Sequence, residues 1–569
     1  MVPDVSGVDK VFDYSVPEKF AGGLNVGDKV RVTLNNRRVG GWVVGISQSQ
    51  AGSFELSPIV SVSGVGVVAD VVPLTEQVAR RWGGSWRSVL VSASAPKVRL
   101  NRGSASRRTT RRSSERGPSD NETAGQLPDG DVLVVSPPSQ SVMSIVEQCA
   151  VAGPTLVICP TVKMALRGAA SLRRRGFSVA SYPEDWSEAF GGVDVVIGPR
   201  TAVWAPCPEL SAIVVIDEHD EAHWEERVPT WNALDVARLR STHDGARLVA
   251  TSAFGSMKSR AAFSQIVHEA NDRTWPKIEV VDLLDPEMTG GLRSNLLTRP
   301  VLEVARNVGA AESTTVMILN AKGRARLLAC TACKETQRCT QCKSVVVQRD
   351  DELFHCPKCD STRPPLCQKC GRTSFRYVRL GSTNVREQLN ASTTRRVVDV
   401  ESHEAGRADI VVDTEAALHR VDEASTVCFL DIDSELESGR LDAIMTTLSS
   451  VSRAARLVGT TGRIIVQSRN VSHPVLEALA RGSLEEVLDK EMQMRRSLSL
   501  PPFSLIVEAT GEVDRLASVQ FPLGSSLAKV SAERALLRFA DDETMRTVLM
   551  NVKANLGRHV RLAVEPYRQ

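Results

Sequence analysis

The stretch DVLVVSPPSQSVMSIVEQCAVAGPTLVICP, residues 131–160, decides how the central part of the chain must be built. VLVV at 132–135 and TLVI at 155–158 are short bulky runs of the kind buried on both faces of a parallel sheet. Between them VMSIVEQCAVAG reads as an amphipathic helix closed by Gly153. Strand, helix and strand in succession predict a doubly wound α/β domain. The same stretch carries a second message. A phosphate-binding loop of the GxxxxGK[ST] kind belongs between such a strand and helix, where its backbone N–H groups and lysine hold a nucleotide. Here the chain has Ser136, Pro137, Pro138, Ser139, Gln140 and Ser141. No glycine permits close approach, no lysine is present, and two prolines remove two N–H donors. No GK[ST] occurs elsewhere.

Outward from this unit the alternation continues through VDVVIG, AIVVIDE and RLVATSA, giving an expected lobe over 127–285. AIVVIDEHDEAHW places Asp217 and Glu218 directly after a buried strand, followed by His219 and Asp220. In a nucleotide motor, an acidic pair at a strand end holds Mg²⁺ and orients water. Such a cluster is often only solvated surface, but its place directly after a buried strand favours the motor reading. TTVMILNAKGRARLL, DIVVDTEAALHRV, STVCFLDIDSEL and GRIIVQS predict a second α/β lobe over 286–329 and 371–500. Residues 1–98 read as a β-rich module, in which KVRVTLNN and GGWVVGISQ alternate apolar and polar positions around a turn at Asn35-Asn36. Residues 501–569 read as a small α+β domain. Residues 99–126 hold almost no large apolar side chain and cannot offset the entropy of ordering, which predicts a flexible linker. Its Arg102, Arg107, Arg108, Arg111, Arg112 and Arg116 suit either a solvated spacer or sequence-blind phosphate contacts.

Eight of the twelve cysteines lie between Cys330 and Cys370, as four CxxC pairs. Two such turns supply the four thiolates of a closed tetrahedral zinc site, so four turns predict two ions per chain in a module at 330–370. The longest gap, Cys342 to Cys356, has room for a hairpin made from KSVVVQ and ELFH. A ribbon of that length closes Cys339, Cys342, Cys356 and Cys359 around one ion, and Cys330, Cys333, Cys367 and Cys370 around another. Sequential pairing remains possible but would force very short spacers. All-cysteine sites leave no open coordination position, so structural metal is expected, replacing a core that this segment is too polar to build. Cys149, Cys159, Cys207 and Cys428 are scattered beside apolar residues and read as small buried hydrophobes.

A length of 569 residues suggests about four domains. With 42% hydrophobic and 24% charged residues the chain can bury several cores. A net charge of only +3 means that a nucleic-acid site must come from local clustering. No apolar run approaches the roughly 18 residues of a membrane helix, and MVPDVSGVDK is not a secretory signal. A cytoplasmic monomer is expected, in which cysteines stay reduced.

Taken together these residues resemble the bacterial replication-restart DNA helicase family PriA, over nearly the whole chain. KVFDYSVPEKF, GLNVGDKVRV and GGWVVG are similar to the family's 3′-DNA-binding domain. VVIGPRTAVWAPCPELSAIVVIDEHDEAHW, ILNAKGRARLLAC, CQKCGRTSFRYVRLGS, FLDIDSEL, SHPVLEALARG, EMQMRRSLSLPPFS and VRLAVEP follow in family order. The resemblance implies two RecA-like lobes with an inserted double-zinc module, and the nested cysteine pairing given above. It also implies a 3′-end pocket at Phe12, Asp13 and Tyr14, where a family glycine and lysine fall on Asn35 and Val60.

The departures weigh as much. SPPSQS stands in place of the P-loop, Ser252-Ala253-Phe254 in place of SAT, and DTEAALHR in place of a GTQMLAKG-like segment. SSVSRAAR replaces QVAGRAGR, keeping Arg453 and Arg456. The family's winged-helix domain is replaced by the arginine-rich linker. The expectation is a protein that binds forked, 3′-ended or single-stranded DNA and recruits primosome proteins, the replicative-helicase loading machinery and single-stranded DNA-binding protein. Family resemblance implies ATP and Mg²⁺, and the missing cradle argues against both. Asp217, Glu218, Arg453 and Arg456 are then the remnant of a nucleotide site, with no catalytic residue assigned. An active ATP-dependent 3′→5′ helicase with an unusual phosphate site, and a zinc interaction module that binds no DNA, are the alternatives.

Overall fold

A computed structural model describes all residues except 48–55, 96–125, 270–274, 291–295, 308–312, 321–325, 334, 336, 342–345, 349–352, 357–358, 380–381, 405, 439, 541, 558 and 567–569. The linker expected at 99–126 therefore lies, but for its last residue, outside the described residues, as does Cys342. The chain divides into two compact units. Met1–Ser136, Ser141–Ala270 and Glu491–Gln569 form one; Pro137–Gln140 and Asn271–Lys490 form the other.

The first unit holds three sheets among the described residues. The N-terminal one is antiparallel, ordered Val2–Pro3, Arg37–Trp42, Asp28–Leu34 and Ser61–Val65. Its central hairpin turns at Asn35 and Asn36, whose φ values of 47° and 59° are the left-handed pair that matches strand twist. Asparagine tolerates that region, which is why the two sit there. Val30 and Val32 face a small core with Leu24, Val43 and Ile59. Helices Val72–Arg81 and Trp86–Ala93 complete the module.

The second sheet is all-parallel, with seven strands among the described residues. Val132–Val135, Arg247–Ser252, Ala212–Val215 and Thr155–Ile158 are its central strands, buried on both faces as their unbroken apolar runs require. Helix Met143–Ala152 makes the crossover read from the sequence. Helix Val162–Arg174 begins at Thr161, whose hydroxyl accepts the N–H of Met164 at 3.1 Å. A C-terminal antiparallel sheet is ordered Ser525–Ser531, Arg534–Phe539, Leu505–Gly511 and Val560–Val564, with helix Asp542–Leu556 alongside.

These modules are joined by charge. Arg81 reaches Glu565 at 3.2 Å and Asp542 at 3.3 Å, while Lys258 reaches Asp235 at 2.5 Å and Glu565 at 3.5 Å. Thr230 donates its hydroxyl to the carbonyl of Val564 at 2.7 Å. Glu565 itself sits at φ 45°.

The second unit is built on another all-parallel sheet, ordered Lys277–Asp282, Arg463–Ser468, Thr426–Phe429, Thr315–Ile318, Ile410–Asp413 and Val397–Val398. Lys277–Asp282 pairs with Arg463–Ser468 along its whole length, so this sheet begins before the boundary expected at 285. Local pattern assigned that strand to the preceding lobe because nothing in a strand's own residues names its partner. The division between the two compact units falls at 490/491, inside helix Glu485–Ser497. Cys149, Cys159, Cys207 and Cys428 are all buried, and burial pushes the thiols of Cys207 and Cys428 up to about 12. No helix among the described residues is long and apolar enough to cross a membrane.

Candidate functional site

The cysteine segment rises from an antiparallel pair, Arg326–Cys330 with Phe375–Arg379. Val347–Gln348 and Phe354–His355 form the expected hairpin, with Thr362–Arg363 as a third strand. That arrangement returns the first and last CxxC turns to each other. Sγ atoms of Cys330, Cys333, Cys367 and Cys370 all lie within 4.8 Å of one another, and those of Cys339, Cys356 and Cys359 form a second such group. Cross-pairs stand at 3.5 Å (Cys330–Cys370), 3.5 Å (Cys333–Cys367) and 3.6 Å (Cys339–Cys359). Zinc–sulfur bonds of about 2.3 Å in a tetrahedron separate sulfurs by about 3.8 Å, so the donors fit such an ion with little adjustment. Backbone N–H groups of Cys333 and Ala332 draw the Cys330 thiol down. Burial opposes the same effect at Cys367, yet N–H groups of Cys370 and Lys369 hold that thiol at about 6. Against the pull of the Glu335 N–H, burial and hydrogen bonds to its neighbours' sulfurs push the Cys333 thiol of the same cluster up to about 12, so these thiols share protons and titrate together. Two cysteine clusters able to bind a metal are thus present.

Gln337 and Arg363 tie the two clusters together, and neither was singled out from sequence. Gln337, 1% exposed, turns its amide Nε2 to the Cys367 Sγ at 3.5 Å and accepts from Arg363 Nη2 at 3.2 Å. Arg363 lies over the Phe354 ring, 4.7 Å from its centroid, and faces sulfurs of both clusters, Cys339 and Cys367. Partners of ligands hold them in place, and losing one typically weakens metal binding about 10–100-fold. Arg363→Met is accordingly expected to speed zinc loss to a chromophoric chelator by about tenfold. Release at the unmodified rate would show that the bridge does not steady the ligands.

In the parallel sheet of the first unit, the turn after Ala212–Val215 buries Asp217, Glu218, His219 and Asp220. Asp217 takes φ 51°, an unusual conformation for a residue other than glycine, and its N–H donates to the Thr251 hydroxyl at 3.2 Å. His219 Nδ1 and the Ser252 hydroxyl are 2.8 Å apart. The two oxygens of Glu218 accept from the N–H and the hydroxyl of Ser256, each at 2.8 Å. Sequence reasoning found the acidic pair but not Ser256, which lies 38 residues on. On the neighbouring strand, the SPPSQS segment spends its own donors. Ser136 N–H goes to the Ser252 carbonyl at 2.9 Å and Gln140 N–H to the Pro137 carbonyl at 3.0 Å. Two prolines and two spent donors leave no continuous row of N–H groups to cradle an anion.

Arg453 and Arg456 lie half-buried on helix Ala443–Val458 of the second unit, whose Ser450 hydroxyl is bonded to Glu415. That unit has its own strand-end carboxylates. Arg469 reaches Asp431 at 3.0 Å and Asp433 at 3.3 Å, and the Ser468 hydroxyl donates to Asp433 at 2.5 Å. Burial, partly offset by Arg469, raises the Asp431 carboxyl.

In the N-terminal module, Phe12 and Tyr14 are half-buried and Asp13 is exposed. Phe12 N–H donates to the Met1 carbonyl at 2.9 Å. Tyr14 donates its hydroxyl to the Thr33 carbonyl at 3.4 Å, beside the hairpin turn, and Val60 N–H bonds the Arg31 carbonyl at 2.9 Å. Phe12–Tyr14 and Val60 are thereby attached to the hairpin that contains Asn35.

These features define a mixed α/β protein with an antiparallel N-terminal module, two parallel sheets and an inserted cysteine-rich segment suited to metal. Residues 1–95 match the family model described as the PriA 3′DNA-binding domain (3′BD). The chain is similar to the replication restart protein PriA of Bacillus subtilis, 26% identical over 374 residues that cover 60% of this chain and 46% of that protein. It is also similar to the Synechocystis protein of the same name, 23% identical over 373 residues, 58% of this chain and 45% of that one. The resemblance read from the sequence is borne out by these relatives, of whose length the chain spans about half. Among solved structures, S. cerevisiae Dbp5 bound to RNA and ADP BeF3 is a loose likeness, with a TM-score of 0.35 and 11% identity over 64% of this chain and 90% of that one.

Proposed function

We propose that this chain is a replication-restart protein of the PriA kind that binds branched or 3′-ended DNA and no longer drives itself with ATP. The observation that carries the reading is the match of residues 1–95 to a 3′DNA-binding domain. Loss of the motor is supported by the segment 136–141, which has no glycine or lysine, two prolines without N–H groups, and two further N–H groups spent within the protein. The two parallel sheets then serve as RecA-like lobes without turnover. Each cysteine cluster holds one zinc ion, Cys342 completing the second. The metal-folded segment is the docking surface for primosome proteins, the helicase-loading machinery and single-stranded DNA-binding protein.

The deciding experiment is DNA-stimulated ATP hydrolysis by the purified chain with forked DNA. No turnover above background is expected, and Asp217→Ala is expected to change nothing. Clear turnover abolished by Asp217→Ala would instead establish an active 3′→5′ helicase with an unusual phosphate site. Absence of binding to forked DNA even at low salt would leave only a zinc interaction module.

A further inference from the structure

Residues 29–54 contain Lys29, Arg31, Arg37 and Arg38 and no acidic residue. The structure disposes of only one of these charges. Lys29 pairs with Asp4 at 3.3 Å and lies 4.6 Å from the centroid of Trp42. Arg31, Arg37 and Arg38 are exposed, and among the described residues their side chains have no hydrogen bond, ion pair or ring contact. In the hairpin register Arg31 stands opposite Gly40 and Thr33 opposite Arg38, so Arg31 and Arg38 are diagonal neighbours on one face. On its other side Arg31 is paired with Ser61. Arg31 thus lies between two small residues, Gly40 and Ser61, which leaves this face open to an extended polyanion. Arg37 follows directly at the turn, opposite Leu34.

Like charges set this close destabilise a sheet, and nothing among the described residues of the module offsets that. The aromatic neighbours narrow the choice of ligand. Tyr14 donates its hydroxyl to the carbonyl of Thr33, the residue opposite Arg38, and Phe12 lies two residues before it. Cations beside aromatic side chains suit single-stranded nucleic acid, whose phosphates and bases they meet in turn.

We infer that Arg31, Arg37 and Arg38 form a phosphate-binding face for the DNA strand held by this module. This rests on the DNA-binding reading above and adds the residues that contact the backbone. The contacts are sequence-blind, because a guanidinium on a phosphate reads no base. Guard duty against edge-to-edge strand pairing is the competing use of exposed charge at a hairpin tip.

Counterion release separates the two. Binding of a fluorescent oligodeoxynucleotide with a free 3′ end, and of a forked duplex, is measured by anisotropy across a salt series with the full chain. Each phosphate neutralised contributes about 0.7–0.9 to the slope of log affinity against log salt. Arg31→Ala, Arg37→Ala and Arg38→Ala combined are therefore expected to lower the slope by about 2 and to weaken binding about 100-fold near 0.1 M salt. Combined Arg→Lys replacement at the same positions is expected to keep the slope, and unchanged thermal melting of both variants excludes misfolding as the cause. An alanine variant with unchanged slope and affinity overturns the inference while leaving DNA binding intact, and if it also self-associates the arginines are edge guards. If the unmodified chain binds no DNA at any salt, the parent reading falls and this one with it.

Discussion

Cys330→Ser is expected to cost the chain one of the two metal ions proposed for it and to unfold the segment 330–370 while leaving the parallel sheets in place. The reason is the small core beneath the clusters. Among the described residues Leu328, Val346 and Phe354 are the buried large apolar side chains there, with Phe375 packed against them and two cysteines, Cys339 and Cys356, completing the cluster. Phe354 and Phe375 meet edge to face with centroids 4.8 Å apart, which is too little to order a segment of this length. Structural zinc sites bind with about 10–16 kcal/mol at neutral pH, as much as a whole domain's stability, so the ion supplies what the core lacks. Serine cannot replace the lost thiolate. Metal analysis should fall from about two ions to about one, as the fit of two closed thiolate sites requires. Amide exchange should become fast across 326–379 and stay slow across Val132–Val135 and Ala212–Val215. Cys356→Ser should do the same through the other cluster. A Cys330→Ser protein with full metal content and unchanged exchange would refute the two-site assignment.

The second large effect lies at the charge node of the first unit. Asp235→Asn leaves Lys258 next to Arg81 with one carboxylate fewer, and breaking a buried pair in this way typically costs 3–5 kcal/mol. Lys258 keeps some solvent, its side chain being 28% exposed, so about 3 kcal/mol is expected from denaturant unfolding. The pH dependence follows from the two titrations. Burial opposes ionisation of Asp235, but Lys258 and Arg81 hold its carboxyl below the ordinary 3.8. Its contribution is therefore complete above about pH 4 and lost as pH falls through the depressed value. Burial likewise opposes the charge on Lys258, while Asp235 and Glu565 raise it above 10.5. That contribution is complete below about pH 10.5 and lost above the raised value. The stability gap between the native chain and Asp235→Asn should be flat across neutral pH and close at both extremes. A gap that changed between pH 6 and 8 would mean that another group is responsible.

Much of this was legible because it is local. A bulky run of four residues declares a buried strand, and a glycine after an amphipathic run ends a helix. Cysteine spacing limits which turns can meet, and the first and last CxxC turns do lie together. Asn35-Asn36 announced a hairpin because few residues accept two left-handed positions in succession. The hairpin arginines were not singled out from the sequence, and only the register places Arg31 and Arg38 on one face.

By itself, then, the sequence determined the α/β alternation, the cysteine-rich insertion and the absence of a phosphate loop, since each depends on residues close together in the chain. Tertiary structure alone decided the partnerships. It set Ser256 on Glu218, Gln337 between Cys367 and Arg363, and Arg81 against Glu565, 484 residues away. It also gave Lys277–Asp282 to the second sheet. Side chains that meet through the fold leave no periodicity along the chain, because their distance in space is set by packing and not by spacing.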